Sequence, residues 1–420
     1  MAAVFLQTRR FPVQHSDILI IGGGMAGLSQ ALSLSGLGLQ VTLVDNQSAL
    51  PPVAQLQAGM ADPLFSDRVS ALTPATRAFF ESLGVWEALA ALRLCPYRHM
   101  QVWDADGSGQ IHFAADDLHL DCLGYLVENP LVVAVLAEAA ARKRDLALHY
   151  QLQVRRAERR DDAWQVELVN GQIHTCSLLI GADGGSSRIR ELAGFQTREW
   201  SYGQRALVCT VRAEQPHGAT AWQRFLATGP LAYLPLQLPG AAAQHYCSIV
   251  WSCDEPLAAQ LLALAPQVFA QRLAAALEHR LGAVEVLGTP MAFPLQQRHA
   301  RDYVQQGIAL VGDAAHTIHP LAGQGINLGF ADVQSLAGVI RAAVTRGEDF
   351  TSLQVLSRYQ RERKPANLAM MLGMEGFKRA FGSDALLLRY LRNQGLTLVD
   401  RLGPLKQQLM QQAMGLGASR

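Results

Sequence analysis

The chain reads as an α/β protein of the Rossmann-like, doubly wound kind, with a β-rich lobe inserted into it and a helical C-terminal region. Three observations predict this. An apolar run near the N-terminus stops in a glycine-rich turn and is followed by a helical pattern. Two later apolar runs, distant in sequence, end in Gly/Asp turns of the same sort. Strand-like material lies between those runs and helical material follows the last of them.

The first unit is "DILIIGGGMAGLSQALSLSGLGLQVTLVDN". Ile18 to Ile21 form a short buried-strand pattern, apolar residues recur at helical spacing from Met25 to Leu37, and "QVTLVD" supplies a second strand. Gly22-x-Gly24-x-x-Gly27 therefore sits between strand and helix, where such a motif has physical meaning. Gly22 permits the tight turn, Gly24 lets backbone approach a pyrophosphate, and Gly27 lets helix and strand pack closely. Met25 and Ala26 open the helix whose N–H groups face the phosphates, and Asp45 closes the second strand as a ribose acceptor.

Two further runs, "SLLIGADGG" (177–185) and "GIALVGDAAH" (307–316), extend one parallel sheet assembled from distant parts of the chain. They place Asp183 and Gly184, then Asp313, at strand ends. No second GxGxxG is present, so one long ligand touched by three loops fits better than two dinucleotides, and FAD is such a ligand. The runs "ALVCTVRAE", "LAYLPLQL" and "HYCSIVWS" predict a mixed or antiparallel sheet, and residues 257–282 are helical. From Ala331 onward the pattern is helical, broken near Pro365, Gly382 and Pro404. The boundaries that follow are an N-terminal extension (1–16), an FAD-binding domain (17–90 with 150–195 and 298–345), a substrate lobe (91–149 and 196–297) and a C-terminal helical region (346–420).

Composition narrows the function classes. Half of the 420 residues are hydrophobic and 17% are charged, which suits a large packed core. A net charge of +1 lacks the basic field that nucleic-acid partners require. Six scattered cysteines without a C-x-x-C read as reduced core thiols. The N-terminal stretch has no secretory pattern and no apolar run reaches ~18 residues. The reading is a cytoplasmic protein, with peripheral contact at the inner face of the membrane left open.

"IGGGMAGL", "GADGGSSRIR" and "GDAAHTIHPLAGQGINLGFADV" together resemble the FAD-dependent aromatic hydroxylases of the para-hydroxybenzoate hydroxylase type. "RVSALTPATRAFFESLGVWEAL", "LGYLVEN", "TGPLAYLPL" and "GPLKQQLMQQAMGL" are similar to the ubiquinone-biosynthesis hydroxylases. Within these, "HMQVWDADGSGQIHF" and the "QAMGL" ending look most like the 2-polyprenylphenol (2-octaprenylphenol) hydroxylases, which act at ring carbon 5. Pro130 departs from the Arg or Ser expected after "VEN", and Asp45 stands where relatives often carry Glu.

The resemblance implies an FAD-dependent monooxygenase that uses NADH or NADPH and O2, through a C4a-hydroperoxyflavin, to hydroxylate a lipophilic polyprenyl-phenol. It also implies association with other ubiquinone-biosynthesis proteins. Asp313 then bonds FAD ribityl or ribose hydroxyls, and Gly323, Gln324 and Gly325 lay backbone against the flavin. Ile326 and Asn327 aim N–H groups at its N1–C2=O edge. Asp183, with Gly184, approaches the pyrophosphate, and Arg68 contacts the flavin or its phosphates. Peroxide chemistry requires a dry, apolar pocket. A residue that takes the phenolic proton is sought among His316, His319, His217, Tyr233 and Tyr246, and the choice stays open. The His316-x-x-His319 pair is not read as a metal site, because Pro320 pushes His319 toward extended geometry and no third ligand lies close.

Overall fold

The computed structural model describes residues 13–60, 65–105, 109–238, 244–318 and 325–381 (the last five in backbone only), with 406, 407, 410, 411 and 414 near the C-terminus. His319, Gly323 and Gln324 lie outside these residues, as do Gly382 and Pro404.

Strand Gln14–Ile21 is the centre of a parallel sheet. Ile173–Gly181 pairs with it on one side and Val41–Val44 on the other. Ile308–Leu310 adds outside the former and Leu146–His149 outside the latter, all parallel. The three apolar runs that end in Gly/Asp turns are thus neighbours. Ile18, Leu19, Ile20, Leu179 and Ile180 are fully buried, as expected where helices cover both faces of a parallel sheet. Helix Met25–Leu34 packs against helices Asn129–Ala141 and Gly325–Arg346.

The lobe boundary needs correction. Residues 91–149 are not all in the second lobe, because helix Asn129–Ala141 packs on the first domain and Leu146–His149 hydrogen-bonds to Val41–Val44. Only partner strands reveal this: a four-residue strand of intermediate burial carries little pattern of its own. Pro130, the departure from the family pattern, occupies the first turn of its helix, where a missing N–H costs nothing.

The second lobe is an eight-stranded sheet, antiparallel except where Thr220–Leu226 runs parallel to His99–Asp104. Its long strands Thr197–Ala213 and Val284–Ala300 pair along nearly their whole length. Helices Glu255–Leu262 and Pro266–Ala276 cover one face, burying Leu207, Tyr233, Ile249 and Trp251. The opposite face looks toward the first domain. Pairing of His316–Thr317 with Arg298–His299 joins that domain to the lobe directly. A small sheet, Val69–Leu72, Gly124–Glu128 and Cys95–Tyr97, packs against Ala221, Ala232 and Leu234.

Helix Leu353–Phe381 runs through Pro365 without a break, contrary to the sequence reading. The Arg363 guanidinium donates to Asp332 at 2.9 Å and the Asn367 amide donates to it at 3.0 Å. The helix is therefore anchored on both sides of the proline, and tertiary contacts outweigh the lost backbone bond. Because Pro365 is exposed, Pro365→Ala restores that bond without disturbing the core. The variant is expected to unfold with roughly 1–3 kcal/mol more stability, read from urea denaturation, with unchanged flavin content.

Candidate functional site

The site begins where three strands end. Gly22 donates its N–H to Val44 O at 2.8 Å, and Ala182 donates to Ile21 O at 2.8 Å, so the first glycine lies against the end of strand Ile173–Gly181. Gly22 has φ +114°, and a Cβ there would overlap the Ala182 carbonyl. At Gly27 a Cβ would overlap the Gly22 carbonyl. Gly24 differs, since a Cβ on it meets nothing within 4 Å. Its open side faces a cavity of about 650 Å³. Two glycines serve packing and one leaves room for a ligand. Helix Met25–Leu34 starts with no side-chain cap and no acid in its first turn, so its N–H dipoles are available to phosphate.

Asp45 reaches this cavity too. Its carboxylate accepts from Gly23 N–H and, at 2.6 Å, from Gln47 N–H. Tyr150, Asn129, Pro130 and Phe293 complete the walls. A second cavity of about 400 Å³ shares Arg68, Asp67, Asn129 and Phe293 with the first. Met25, Asp313, Gly325 and Ile326 bound it on the side of the first domain. The antiparallel sheet closes it with Ala206, Val208, Ala232, Leu234 and Val250. Arg68 lies at the junction, its guanidinium 5.4 Å from the centre of the Phe293 ring and in no salt bridge among the described residues. Among the described residues it is a cation without a carboxylate partner, placed between the two chambers.

Asp313 is enclosed by protein on most sides, but its side chain is open to the second chamber. Burial pushes its carboxyl above the ordinary range, while His316 and Arg68 oppose that. The turn before it is held from below. Gly312, at φ +58°, packs against Ala26 and Gly329 and donates its N–H to Asp332 at 3.2 Å. Asp332 is fully buried and accepts from His316 Nε2 at 2.5 Å as well as from Arg363 and Asn367. Burial alone would raise its pKa, but His316, then Arg363 and Asn367, hold it below the usual carboxylate range. Asn367 and His299 both engage the Tyr303 hydroxyl, at 3.4 and 3.0 Å.

Several expected roles change. The Asp183 carboxylate does not face either chamber. It accepts from the Ser187 hydroxyl and from Ile189 N–H at 3.0 Å, so it shapes the start of helix Arg188–Leu192. Gly184 serves the same turn at φ +79°. Buried Arg190 donates to Ala314 O at 2.9 Å and Gly185 O at 2.8 Å, which ties this loop to the Asp313 turn. The Asn327 side chain is fully engaged away from the chamber: it accepts from Thr73 N–H and the Thr76 hydroxyl and donates to Ala71 O.

None of the described acid/base candidates lines the second chamber. Tyr233 points to the helix-covered face, while its neighbours Ala232 and Leu234 point inward. Tyr246 packs on Phe65, with ring centroids 5.7 Å apart. His217 holds a turn, accepting from Ala219 N–H at 3.1 Å. His316 is committed to Asp332, and His319 lies outside the described residues. Among the described residues no group of His, Cys, Asp or Glu could hold a metal ion. Sequence reasoning missed Asp332, Phe293 and the inward-facing residues of the antiparallel sheet. Only the period-two alternation within "LAYLPL" and "CSIVWS" could have signalled the last group.

A larger cavity, about 690 Å³, lies between helices Gly325–Arg346 and Leu353–Phe381. Its charges are internally matched: Arg346 and Arg358 pair with Glu348, Arg363 with Asp332, and Glu362 accepts from Ser335. It carries no glycine turn, and the two connected chambers are the better candidate. Their residues fit FAD. The Gly24 face and open helix start suit a pyrophosphate, Asp45 a ribose, and the chamber beyond Arg68 a flat ring system.

The FAD binding domain family model matches residues 15–372. The 3-demethoxyubiquinol 3-hydroxylase of Escherichia coli (strain K12) is 39% identical over 406 residues, covering 96% of this chain and 99% of that protein. The mitochondrial ubiquinone biosynthesis monooxygenase COQ6 of Xenopus tropicalis is 33% identical, covering 94% and 92%. Among solved structures, the p-nitrophenol 4-monooxygenase PnpA of Pseudomonas putida superposes with a TM-score of 0.78 at 18% identity, covering 97% and 100%, a likeness of fold.

Two outcomes follow from the geometry. Gly22→Ala places a methyl group into the Ala182 carbonyl, so purified variant is expected to lack the flavin absorbance of the wild type. Burial, helped by His316, Lys364 and Arg198, pushes His299 down to about 4. Between pH ~6.5 and that value the unfolded chain binds a proton that the folded chain refuses. Stability should therefore fall as pH drops through this window, by up to about 3 kcal/mol. In His299→Gln the fall should be shallower, measured by urea titrations at several pH values.

Proposed function

Because the chain belongs to the FAD-dependent hydroxylases of ubiquinone biosynthesis, within the FAD binding domain family, we propose that it hydroxylates the aromatic ring of a polyprenylated phenol. NADH or NADPH is the electron donor and O2 the oxygen source. The observation that carries this reading is the pair of adjoining chambers: one suited to a dinucleotide, the other walled on its sheet side mainly by apolar strand residues, with Asp67, Arg68 and Asp313 on its remaining sides. Bound FAD supplies the redox chemistry that activates oxygen. The protein's part is to bind, orient and keep dry.

Each residue group has a share in that work. Gly24 and the helix start hold phosphates, and Asp45 accepts from a ribose. Asp313 accepts from hydroxyls of the cofactor's chain. The N-terminus of helix Gly325–Arg346 brings a positive dipole end to the chamber. Ala206, Val208, Ala232, Leu234 and Val250 exclude water around the ring. A lipophilic tail calls for delivery from a membrane, so we place the protein in the cytoplasm with peripheral contact at the membrane's inner face. No described helix is long and apolar enough to cross a membrane. Contacts with other proteins of the pathway belong to the same proposal.

The oxygenated position has two readings. Family motifs favour ring carbon 5. The 39% identity to a 3-demethoxyubiquinol 3-hydroxylase favours the position left open in a demethoxy precursor. Complementation of strains that each lack one ring hydroxylase, with product analysis, separates them. The general reading predicts that purified holoenzyme oxidises NADH or NADPH faster with a prenylated phenol and forms hydroxylated product. Hydrogen peroxide without product would overturn it. Faster turnover with an anionic, tail-less aromatic than with the prenylated phenol would move the substrate to the soluble class.

A further inference from the structure

The antiparallel-sheet wall of the second chamber is mostly apolar, but polar side chains interrupt it, and three of them, Gln223, Ser248 and Ser252, belong to buried residues. They are 6%, 3% and 2% exposed. Among the described residues none of the three side chains has a hydrogen-bond partner. Their polar atoms open onto the chamber, since none is among the buried atoms left without a partner, and a few polar groups in an apolar cavity are what fix a ligand's orientation. Three such groups around one chamber therefore call for an occupant that carries matching atoms.

The sheet register arranges them around an apolar centre. Gln223 pairs with Ala232, and Ala232 pairs with Val250. Ser248 and Ser252 flank Val250 by two residues on each side, on the same face of the strand. Tyr233, Ile249 and Trp251 alternate with them and are covered by the helices on the opposite face. Four residues along a strand span about 13 Å, more than the substituents of one aromatic ring. One ring cannot bridge both serines. Gln223 has the longest reach and lies in the row between them, so it can act with either one across the apolar patch of Ala232 and Val250.

We propose that Gln223 is the principal specificity-determining residue of the chamber, its amide engaging an oxygen substituent of the substrate ring, with Ser248 and Ser252 as secondary contacts. The amide carbonyl accepts from a phenolic O–H, and the amide N–H donates to an alkoxy or phenol oxygen. The ligand class is an aromatic ring with at least one oxygen substituent and no charge-bearing group for the amide to balance. This rests on the aromatic-hydroxylase reading and adds to it the residue that distinguishes an oxygenated ring from a bare one.

The test uses holoenzyme and two probes, a phenol with a short prenyl chain and the same prenylbenzene without the hydroxyl. Binding is read from the perturbation of flavin absorbance. Wild type should prefer the phenol by at least about tenfold. Gln223→Met, close in shape but without the amide, should lose most of that preference while binding the bare ring as wild type does. Ser248→Ala and Ser252→Ala should lower the preference less. Flavin content from the absorbance spectrum reports whether each variant is folded and loaded. Should Gln223→Met fail to load, Gln223→Leu, which also lacks both amide donor and amide acceptor, takes its place and should lower the preference too. An unchanged preference in the Gln223 variant, equal loss for both probes, or no preference in wild type overturns the inference. A wild type that shows the Gln223-dependent preference yet forms no hydroxylated product overturns the functional reading instead.

Discussion

The architecture turns on a backbone-to-backbone contact. Gly22 lies so close to the Ala182 carbonyl that no side chain fits between them, and this contact sets the distance between the ends of two parallel strands separated by about 160 residues in sequence. The helix Met25–Leu34 can start where it does only because Gly27 tolerates the Gly22 carbonyl beneath it. The open helix start, the exposed side of Gly24 and the reach of Asp45 to Gly23 N–H all follow from that placement. Glycine loses more chain entropy on folding than other residues. Here it gives a backbone path that leaves the uncapped start of the helix facing the cavity.

A second constraint acts below the cofactor chamber. Asp332 is a buried carboxylate with four donors from three segments: Gly312 N–H, His316, Arg363 and Asn367. Burying an ion is costly unless its lone pairs are satisfied, and here they are. The arrangement links helix Gly325–Arg346, helix Leu353–Phe381 and the Gly312–Asp313 turn. It accounts both for a helix that passes through Pro365 and for a turn that presents Asp313 to the chamber. His316, whose spacing from His319 suggests metal, is absorbed into this buried cluster.

What was legible in the sequence was local. Strand, glycine turn, helix and acid appear within 30 residues, and short-range sterics dictate each, so the cofactor turn could be read directly. The strand ends at Asp183 and Asp313 were legible as strand ends, but which way each carboxylate points depends on contacts such as that of Ser187 with Asp183 and on loops brought together by the sheet. Leu146–His149 was misplaced because a short strand is defined by its partner. Tyr233 stays among the open acid/base candidates at the level of sequence, because the apolar run "LAYLPL" does not tell which of its positions face the chamber. With helices on one face and the chamber on the other, both sets of positions are buried, and hydropathy cannot say which set lines the cavity.

Under the proposed function, cofactor and substrate are held by different kinds of contact, and this bears on how such a protein can change. The dinucleotide chamber depends on main-chain geometry: glycines without Cβ atoms, helix N–H groups and turns held by buried hydrogen bonds. A side chain at Gly22 or Gly27 would move backbone there. The substrate wall instead uses alternate side chains on strands whose register is fixed by pairing and by the helices behind them. A change at Ala232, Val250 or Gln223 alters the shape or polarity of the chamber without altering the ladder that supports it. Oxidative chemistry and ring recognition are therefore separable within one fold. A likeness of fold to enzymes at under 25% identity is the result expected when the backbone cradle is kept and the strand face is rewritten.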